Sequence, residues 1–291
     1  MTETILTNAN IVLAEEIVAG TIQVKDGRIA DVATRSSTLP RAEDMGGDYL
    51  MPGLVELHTD NLEKHMAPRP KTDWPATAAL LAHDGQLAAA GITTVFDALS
   101  LGALLEEGVR IRRLKEMIEA IAEARDHDLT RAEHLLHLRC EISYPGLPKI
   151  VEEMIDNPMV KLVSVMDHTP GQRQFVREET YRVYYQGKHG LSDAEMDAFI
   201  HDRKADQEAY SAKHRRYIVT RARELGLGLA SHDDATPAHV QEAIADGMTI
   251  AEFPTTVAAA QASHDGGLKV LMGGPNLVRG GSHSGNVSAI E

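Results

Sequence analysis

The sequence holds a single cysteine, Cys140, in 291 residues. One thiol forms no internal disulfide, so the fold depends on no oxidising compartment and a reducing cytosol is expected. No run approaches the roughly 18 apolar residues that span a bilayer, and the first residues lack a signal-peptide pattern, which again predicts a cytoplasmic protein. Only 12 Pro, with 43% hydrophobic and 25% charged residues, exclude a disordered, collagen-like or disulfide-stapled chain. The length suits one large domain, alone or with a small companion. Basic residues are scarce: 29 Lys and Arg against 43 Asp and Glu leave a net charge of −14. That field disfavours nucleic acid and anionic membranes as partners, and it repels a phosphorylated substrate unless cations or a local basic cluster reverse it. No GxxxxGK[ST] loop, GxSxG elbow or GxGxxG turn after a strand occurs. Histidine, by contrast, is abundant, with 14 residues, most beside Asp, Glu or Gly, so metal or acid–base chemistry is the first expectation.

The pattern changes along the chain. Thr4–Leu13, Gly20–Val24 and Arg28–Val32 are short alternating or apolar runs with turn signals at Asn8-Ala9-Asn10 and Lys25-Asp26-Gly27. They predict a small antiparallel β unit over residues 1–52, closed by Met51-Pro52-Gly53. Beyond it, strand-like runs at Leu54–Leu57, Thr93–Phe96, Leu135–Leu138, Lys161–Val165, Gly228–Ala230, Thr249–Ala251 and Lys269–Leu271 alternate with helical stretches. Alternation of that kind predicts an α/β fold with a parallel sheet, here a (β/α) TIM-type barrel over residues 53–291. Arg110–Glu123 puts Leu114, Met117, Ile118 and Ile121 on one face, and Thr236-Pro237 reads as an N-cap and first turn. Seven strands are visible and no eighth precedes Glu291, so the barrel is expected to be incomplete at its C-terminal end. A charged stretch at about 173–217 holds Tyr181, Tyr184, Tyr185, Tyr210 and Tyr217, with a capping box at Ser192-Asp193-Ala194-Glu195. It predicts a helical insertion or lid.

Polar and ionisable groups gather at the C-terminal ends of successive strands, the face on which barrel active sites sit. His58-Thr59-Asp60 follows the first strand, and residues two apart on extended backbone point the same way, so both side chains can reach one cation. Glu141, His168 and His232 close three other strands. Mixed His and carboxylate ligands suit Zn²⁺, Mn²⁺ or Fe²⁺. A lone rim histidine is more often structural, but agreement among four strand ends favours the metal. Asp233 is a ligand, an orienter of His232 or a proton acceptor; a solvated loop aspartate is the bland alternative. The stretch Gly273–Asn286 offers glycine-freed N–H groups with Asn276, Arg279, Ser282, Ser284 and Asn286 as donors to an oxyanion. The loops carrying Arg69 and Lys71 and Gly171-Gln172-Arg173-Gln174 are two further cationic segments. Together they predict recognition of an anion, a polyphosphate being the best fit. Cys140 is expected to be a buried thiol and Trp74 a packing residue near the first loop.

These residues carry a resemblance. Met51-Pro52-Gly53-Leu54-Val55-Glu56-Leu57-His58 resembles the first-strand motif of the amidohydrolase superfamily, with His58-Thr59-Asp60 where HxH is usual. The longer stretches ELHTDNLEKH…PRPKTDWP, HLRCE, SVMDHTPGQRQF, LASHDDAT, AEFPTT and GGPNLVRGGSHSGN resemble the triphosphate-cleaving branch of that superfamily that serves the carbon–phosphorus lyase pathway. The resemblance implies a metal-dependent diphosphatase of phosphonate metabolism acting on a ribose triphosphate, with one or two divalent ions, Zn or Mn. It implies His58, Asp60, Glu141, His168 and His232 as ligands, and Arg173, Arg279 and the Arg69–Lys71 loop on the phosphate chain. The family carries an eighth-strand aspartate as proton acceptor; without it, Asp233 or Asp60 is the expected base. A homo-oligomer is compatible with this reading. The alternatives are another metal hydrolase of the superfamily, acting on a cyclic amide or a deaminase substrate, and an inactive truncated subunit that binds a partner protein.

Overall fold

The computed structural model describes residues 2–69, 72–102, 107–282 and 285–291. The chain divides into two compact units, Met1–Leu54 and Val55–Glu291.

In the first unit, β1 (Glu3–Val12), β2 (Ile17–Lys25) and β3 (Arg28–Ala33) form an antiparallel meander. The two-residue link Asp26-Gly27 has φ of 48° and 74°, the left-handed pair that matches strand twist in a tight hairpin. Asn8-Ala9-Asn10 is not the turn its composition suggests. β1 runs straight through it, with a register shift between Leu6 and Ala9 and Asn8 at φ 54°. Asparagine tolerates that conformation, so the signal marks a bulge rather than a chain reversal. The short strands β4 (Glu43–Asp44) and β5 (Tyr49–Leu50) lie parallel to β1, so the sheet is mixed rather than wholly antiparallel. Ala9, Ile11 and Ile22 form its small core.

The second unit alternates strand and helix. In order it contains β6 (Leu54–Thr59), α1 (Asn61–Met66), α2 (Ala76–Ala89), β7 (Ile92–Leu101), α3 (Glu107–Asp126), β8 (Glu133–Glu141), α4 (Leu147–Met154), β9 (Val160–Met166), α5 (Glu178–His189), α6 (Asp193–Glu224), β10 (Gly228–His232), α7 (Pro237–Ala245), β11 (Ile250–Glu252), α8 (Val257–Asp265), β12 (Lys269–Leu271) and α9 (Gly274–Arg279). The seven strands lie in one sheet in chain order, from β6 at one end to β12 at the other. This is the (β/α) layout that alternating apolar runs predict, a seven-stranded sheet with helices packed against it. Among the described residues no helix is long and apolar enough to cross a membrane.

Strand alternation sorts side chains onto two faces, and the two faces do different work. On β8, Leu136, Leu138 and Cys140 join Val163 and Val165 of β9, Leu229 of β10 and Ala251 of β11 in the main core, against Leu80, Leu114, Met117, Ile121, Val151 and Ile218 of the helices. Burial of each such aliphatic side chain contributes about 1.5–3 kcal/mol. Cys140 belongs to this face, and burial pushes its thiol pKa up, which removes it as a nucleophile. The other β8 face presents His137, Arg139 and Glu141. His137 bonds Leu57 O at 3.0 Å and Ser164 Oγ at 2.8 Å, and Arg139 reaches Asp60 across the sheet. The main apolar core therefore lies on one face of β8, and the chemistry of the second unit on the other.

The Tyr-rich stretch forms α5 and α6. Phe175, Tyr181, Met196 and Ile200 make a separate small core, with the Tyr181 and Tyr185 ring centroids 4.3 Å apart. Ser192 closes both halves of a capping box with Glu195. Farther along the same helix, Ile218, Val219 and Ala222 pack into the main core. One continuous helix thus anchors the aromatic cluster to the barrel.

Candidate functional site

His58, Glu141, His168, His232 and Asp233 all sit at or just past strand ends on the chemical face, and the structure brings them together. His58 and His232 stack with ring centroids 5.5 Å apart, and His168 meets His232 edge-on at 5.7 Å. What joins the first pair is Glu252, at the end of β11. Its Oε1 accepts from His58 Nδ1 at 3.0 Å and its Oε2 from His232 Nδ1 at 3.1 Å. A carboxylate only accepts, so each ring carries its proton on Nδ1 and turns Nε2 outward. Glu252 is fully buried; burial alone would raise its pKa, but His137, His232 and His58 hold it well below the ordinary range.

Glu141 does the same for His168. Its Oε2 accepts from His168 Nδ1 at 2.7 Å, while Oε1 takes Ser143 Oγ at 2.8 Å and the His168 backbone N–H at 3.2 Å. Both oxygens are engaged, so Glu141, which the resemblance implied as a ligand, here also orients the His168 ring. Its position is fixed by close packing: at Gly102, φ 104°, a Cβ would stand 2.9 Å from Glu141 Cβ and from Tyr144 Cβ. Only glycine fits there without displacing the carboxylate.

Asp233 completes the group. Its backbone is left-handed at φ 54°, a conformation that costs a non-glycine residue energy and recurs at functional sites. Asn286 Nδ2 holds its Oδ1 at 2.9 Å, leaving Oδ2 3.4 Å from His232 Nε2 and 3.6 Å from His168 Nε2. Ligand atoms about 2.0–2.1 Å from a tetrahedral ion stand roughly 3.4 Å apart, so this spacing suits a divalent cation. Two overlapping donor groups, His168–His232–Asp233 and His58–His232–Glu252, each keep their ligand atoms within 4.8 Å of one another. Rings backed on Nδ1 by buried carboxylates are the arrangement that orients metal-binding histidines. The electrostatics agree. Burial opposes charge on His168, yet Glu141 and Asp233 outweigh it and its pKa is pushed up to about 10. Burial drives that of His137 down to about 4. His232, between Glu252 and Asp233, is also held below its ordinary value by burial, so positive charge is favoured at His168 alone of these three rings.

Asp60 lies at the edge of this group. Its carboxylate pairs with Arg139 at 2.8 Å; burial would raise its pKa, but Arg139, His58, His232 and Lys64 hold it down.

Several residues expected to bind substrate do other work. Arg173 is buried, and its guanidinium bonds Asp234 and, at 3.3 Å, Glu242. Its charge is paired with these two carboxylates. Asn276 is buried and clasps the last residues, donating to Val287 O at 2.8 Å and accepting from Ala289 N–H at 3.1 Å. Ser282 Oγ bonds Asn286 Oδ1 at 3.0 Å, so it braces the residue that holds Asp233. The glycine-rich segment is thus partly a helix, α9, and partly a clamp rather than an open anion cradle. Arg279 and Arg69 are exposed. Lys71 and Ser284 lie outside the described residues. Trp74 is 54% exposed rather than packed.

Glu252 was missed by reasoning from sequence. Its strand shows only three residues, too few for a visible alternation, and the only signal was an acidic residue at a strand end beside those bearing histidine. Arg139 carried a clearer one, as the middle member of the alternating His137, Arg139 and Glu141.

No family model matches the chain. The alpha-D-ribose 1-methylphosphonate 5-triphosphate diphosphatase of Escherichia coli (strain K12) is 49% identical over 287 residues, covering 99% of this chain and 76% of that protein. Among solved structures, 5-methylcytosine deaminase from Klebsiella pneumoniae, liganded with 5-fluorocytosine, aligns with a TM-score of 0.58 at 14% identity, over 99% of this chain and 71% of its own. N-isopropylammelide isopropylaminohydrolase from Burkholderia multivorans aligns at 0.53 with 15% identity, over 93% and 74%. At such identities these two structures speak for the fold alone. With nearly half its residues identical to the curated relative along almost its whole length, the chain belongs to the alpha-D-ribose 1-methylphosphonate 5-triphosphate diphosphatase family, hydrolases built on the amidohydrolase fold.

Proposed function

We propose that the protein hydrolyses α-D-ribose 1-methylphosphonate 5-triphosphate to α-D-ribose 1-methylphosphonate 5-phosphate and pyrophosphate. The observation that carries the reading is the cluster of three histidines with Asp233, backed by Glu252 and Glu141, in a chain 49% identical to a relative of that name. His58, His168, His232 and Asp233 would hold one or two divalent ions, zinc or manganese, with Asp60 as a further ligand at the margin. Such an ion, when bound, supplies Lewis-acid polarisation of the phosphoryl group and lowers the pKa of water.

The chain's own groups do the rest. Asp233 is the proton acceptor: burial would raise its pKa, but His232, His168 and Arg139 keep it ionised at neutral pH. Water oxygen forms a bond to the α-phosphorus, the bond from that phosphorus to the bridging oxygen breaks, and the proton passes to Asp233. Charge on the departing pyrophosphate is met by Arg279, an exposed cation of the glycine-rich segment. The net charge of −14 disfavours nucleic acid and anionic membranes as partners, and the single thiol fits a reducing cytoplasm.

Turnover in ¹⁸O-labelled water tests the point of attack. The label is expected on the 5-phosphate of α-D-ribose 1-methylphosphonate 5-phosphate and not on pyrophosphate. Label in pyrophosphate would place attack on the β-phosphorus and overturn the mechanism.

A further inference from the structure

Against α1 and α2 lies a cavity of about 700 Å³ that is lined by none of the residues of the histidine cluster. Its walls come from these two helices with Pro68, Arg69 and Trp74. Lys64, His65 and Arg69 supply its polar rim, and Trp74, Ala78 and Ala82 its apolar side. Among the described residues no acidic side chain lines it, in a chain with 43 acidic residues. The rim is prearranged: His65 Nε2 bonds Gln86 Oε1 at 3.0 Å, and the Trp74 backbone N–H donates to Met66 O at 2.8 Å, fixing the indole segment to the end of α1. The cavity also adjoins the site. α1 begins directly after Asp60, and Asn61 and Lys64 of that helix line the cavity, Lys64 standing four residues on and so about 6 Å along the helix axis.

Cations beside small apolar groups and an indole face select an anion that carries apolar surface. Pyrophosphate has none, so the alanine and indole wall would desolvate it without return. A methylphosphonate ester on a ribose has anionic oxygens for Lys64 and Arg69, a methyl group for the alanines, and a sugar C–H face for Trp74. We propose that this cavity seats the 1-methylphosphonate end of the substrate, leaving the triphosphate to reach the histidines. The assignment rests on the proposed diphosphatase reading and reverses the polarity that the resemblance implied for the Arg69 loop.

Trp74 is the only tryptophan in the chain, so its emission reports the cavity without any need for turnover. The probes are α-D-ribose 1-methylphosphonate 5-phosphate, ribose 5-phosphate and pyrophosphate, titrated into the full chain. The first is expected to change the emission saturably, ribose 5-phosphate to bind at least tenfold more weakly, and pyrophosphate to leave it unchanged. Lys64→Ala and Arg69→Ala, both at exposed positions, are expected to weaken the first ligand tenfold or more. Ala82→Phe, which fills the cavity and keeps Trp74, should abolish the response. Equal responses to all three probes, a response to pyrophosphate alone, or none to the phosphonate would overturn the proposal. Pyrophosphate release from the triphosphate with a silent Trp74 would refute the cavity assignment and leave the diphosphatase reading standing. The converse result would separate them the other way.

Discussion

Replacing His232 with alanine is expected to cost at least about a thousandfold in pyrophosphate release, roughly 4 kcal/mol of transition-state stabilisation. The size follows from position. His232 stands between His58 and the His168–Asp233 pair, so its loss opens the middle of the donor cluster, and lost Lewis-acid activation is worth several kcal/mol. It also leaves Glu252 Oε2 buried without the ring that donates to it. Steady-state assay with saturating zinc or manganese measures the loss, and the melting curve of the variant shows whether the chain still folds. A folded His232→Ala protein with near-normal turnover would refute the site.

The second large effect is expected at Glu252. A glutamine there keeps the shape but turns one acceptor oxygen into an amide donor, so it cannot take N–H groups from His58 and His232 together. One ring must rotate or change tautomer, and its Nε2 no longer faces the cation. Loss of such a backing carboxylate typically weakens metal binding 10–100-fold, and that is the expected shift for Glu252→Gln in competition with a chelator of known affinity. Glu252→Ala should be harsher on the fold, because His58 and His232 lose their acceptor and His137 its neighbouring negative charge. Unchanged metal affinity in the glutamine variant would show that Glu252 orients nothing.

These residues mark how far the sequence could be read. Strand positions and the histidines at their ends follow from local pattern: an apolar run of three to five residues and the groups that terminate it are neighbours in the chain. The role of each carboxylate does not follow. Glu252 meets a histidine 194 residues away, and Glu141 spends both oxygens on Ser143 and His168. Arg173 looked like a cation aimed at substrate because Asp234 and Glu242, which pair with it, come 61 and 69 residues later. Asn276 and Ser282 resembled anion donors for a similar reason: a polar side chain in a glycine-rich stretch gives no sign of whether it will face a ligand or clasp its own loop. Asn8 failed in a simpler way, since a left-handed asparagine serves a bulge as well as a turn. Residue type reports which chemistry is possible at a position; partners distant in sequence decide which is realised.

Phosphorus NMR of the protein with α-D-ribose 1-methylphosphonate 5-triphosphate, with added manganese or zinc and again with excess chelator, tests the central claim most directly. The account predicts pyrophosphate and the 5-phosphate in equal amounts with metal, and an unchanged triphosphate spectrum with chelator. Orthophosphate as the first product, cleavage that persists in chelator, or an intact triphosphate in the presence of metal would contradict it.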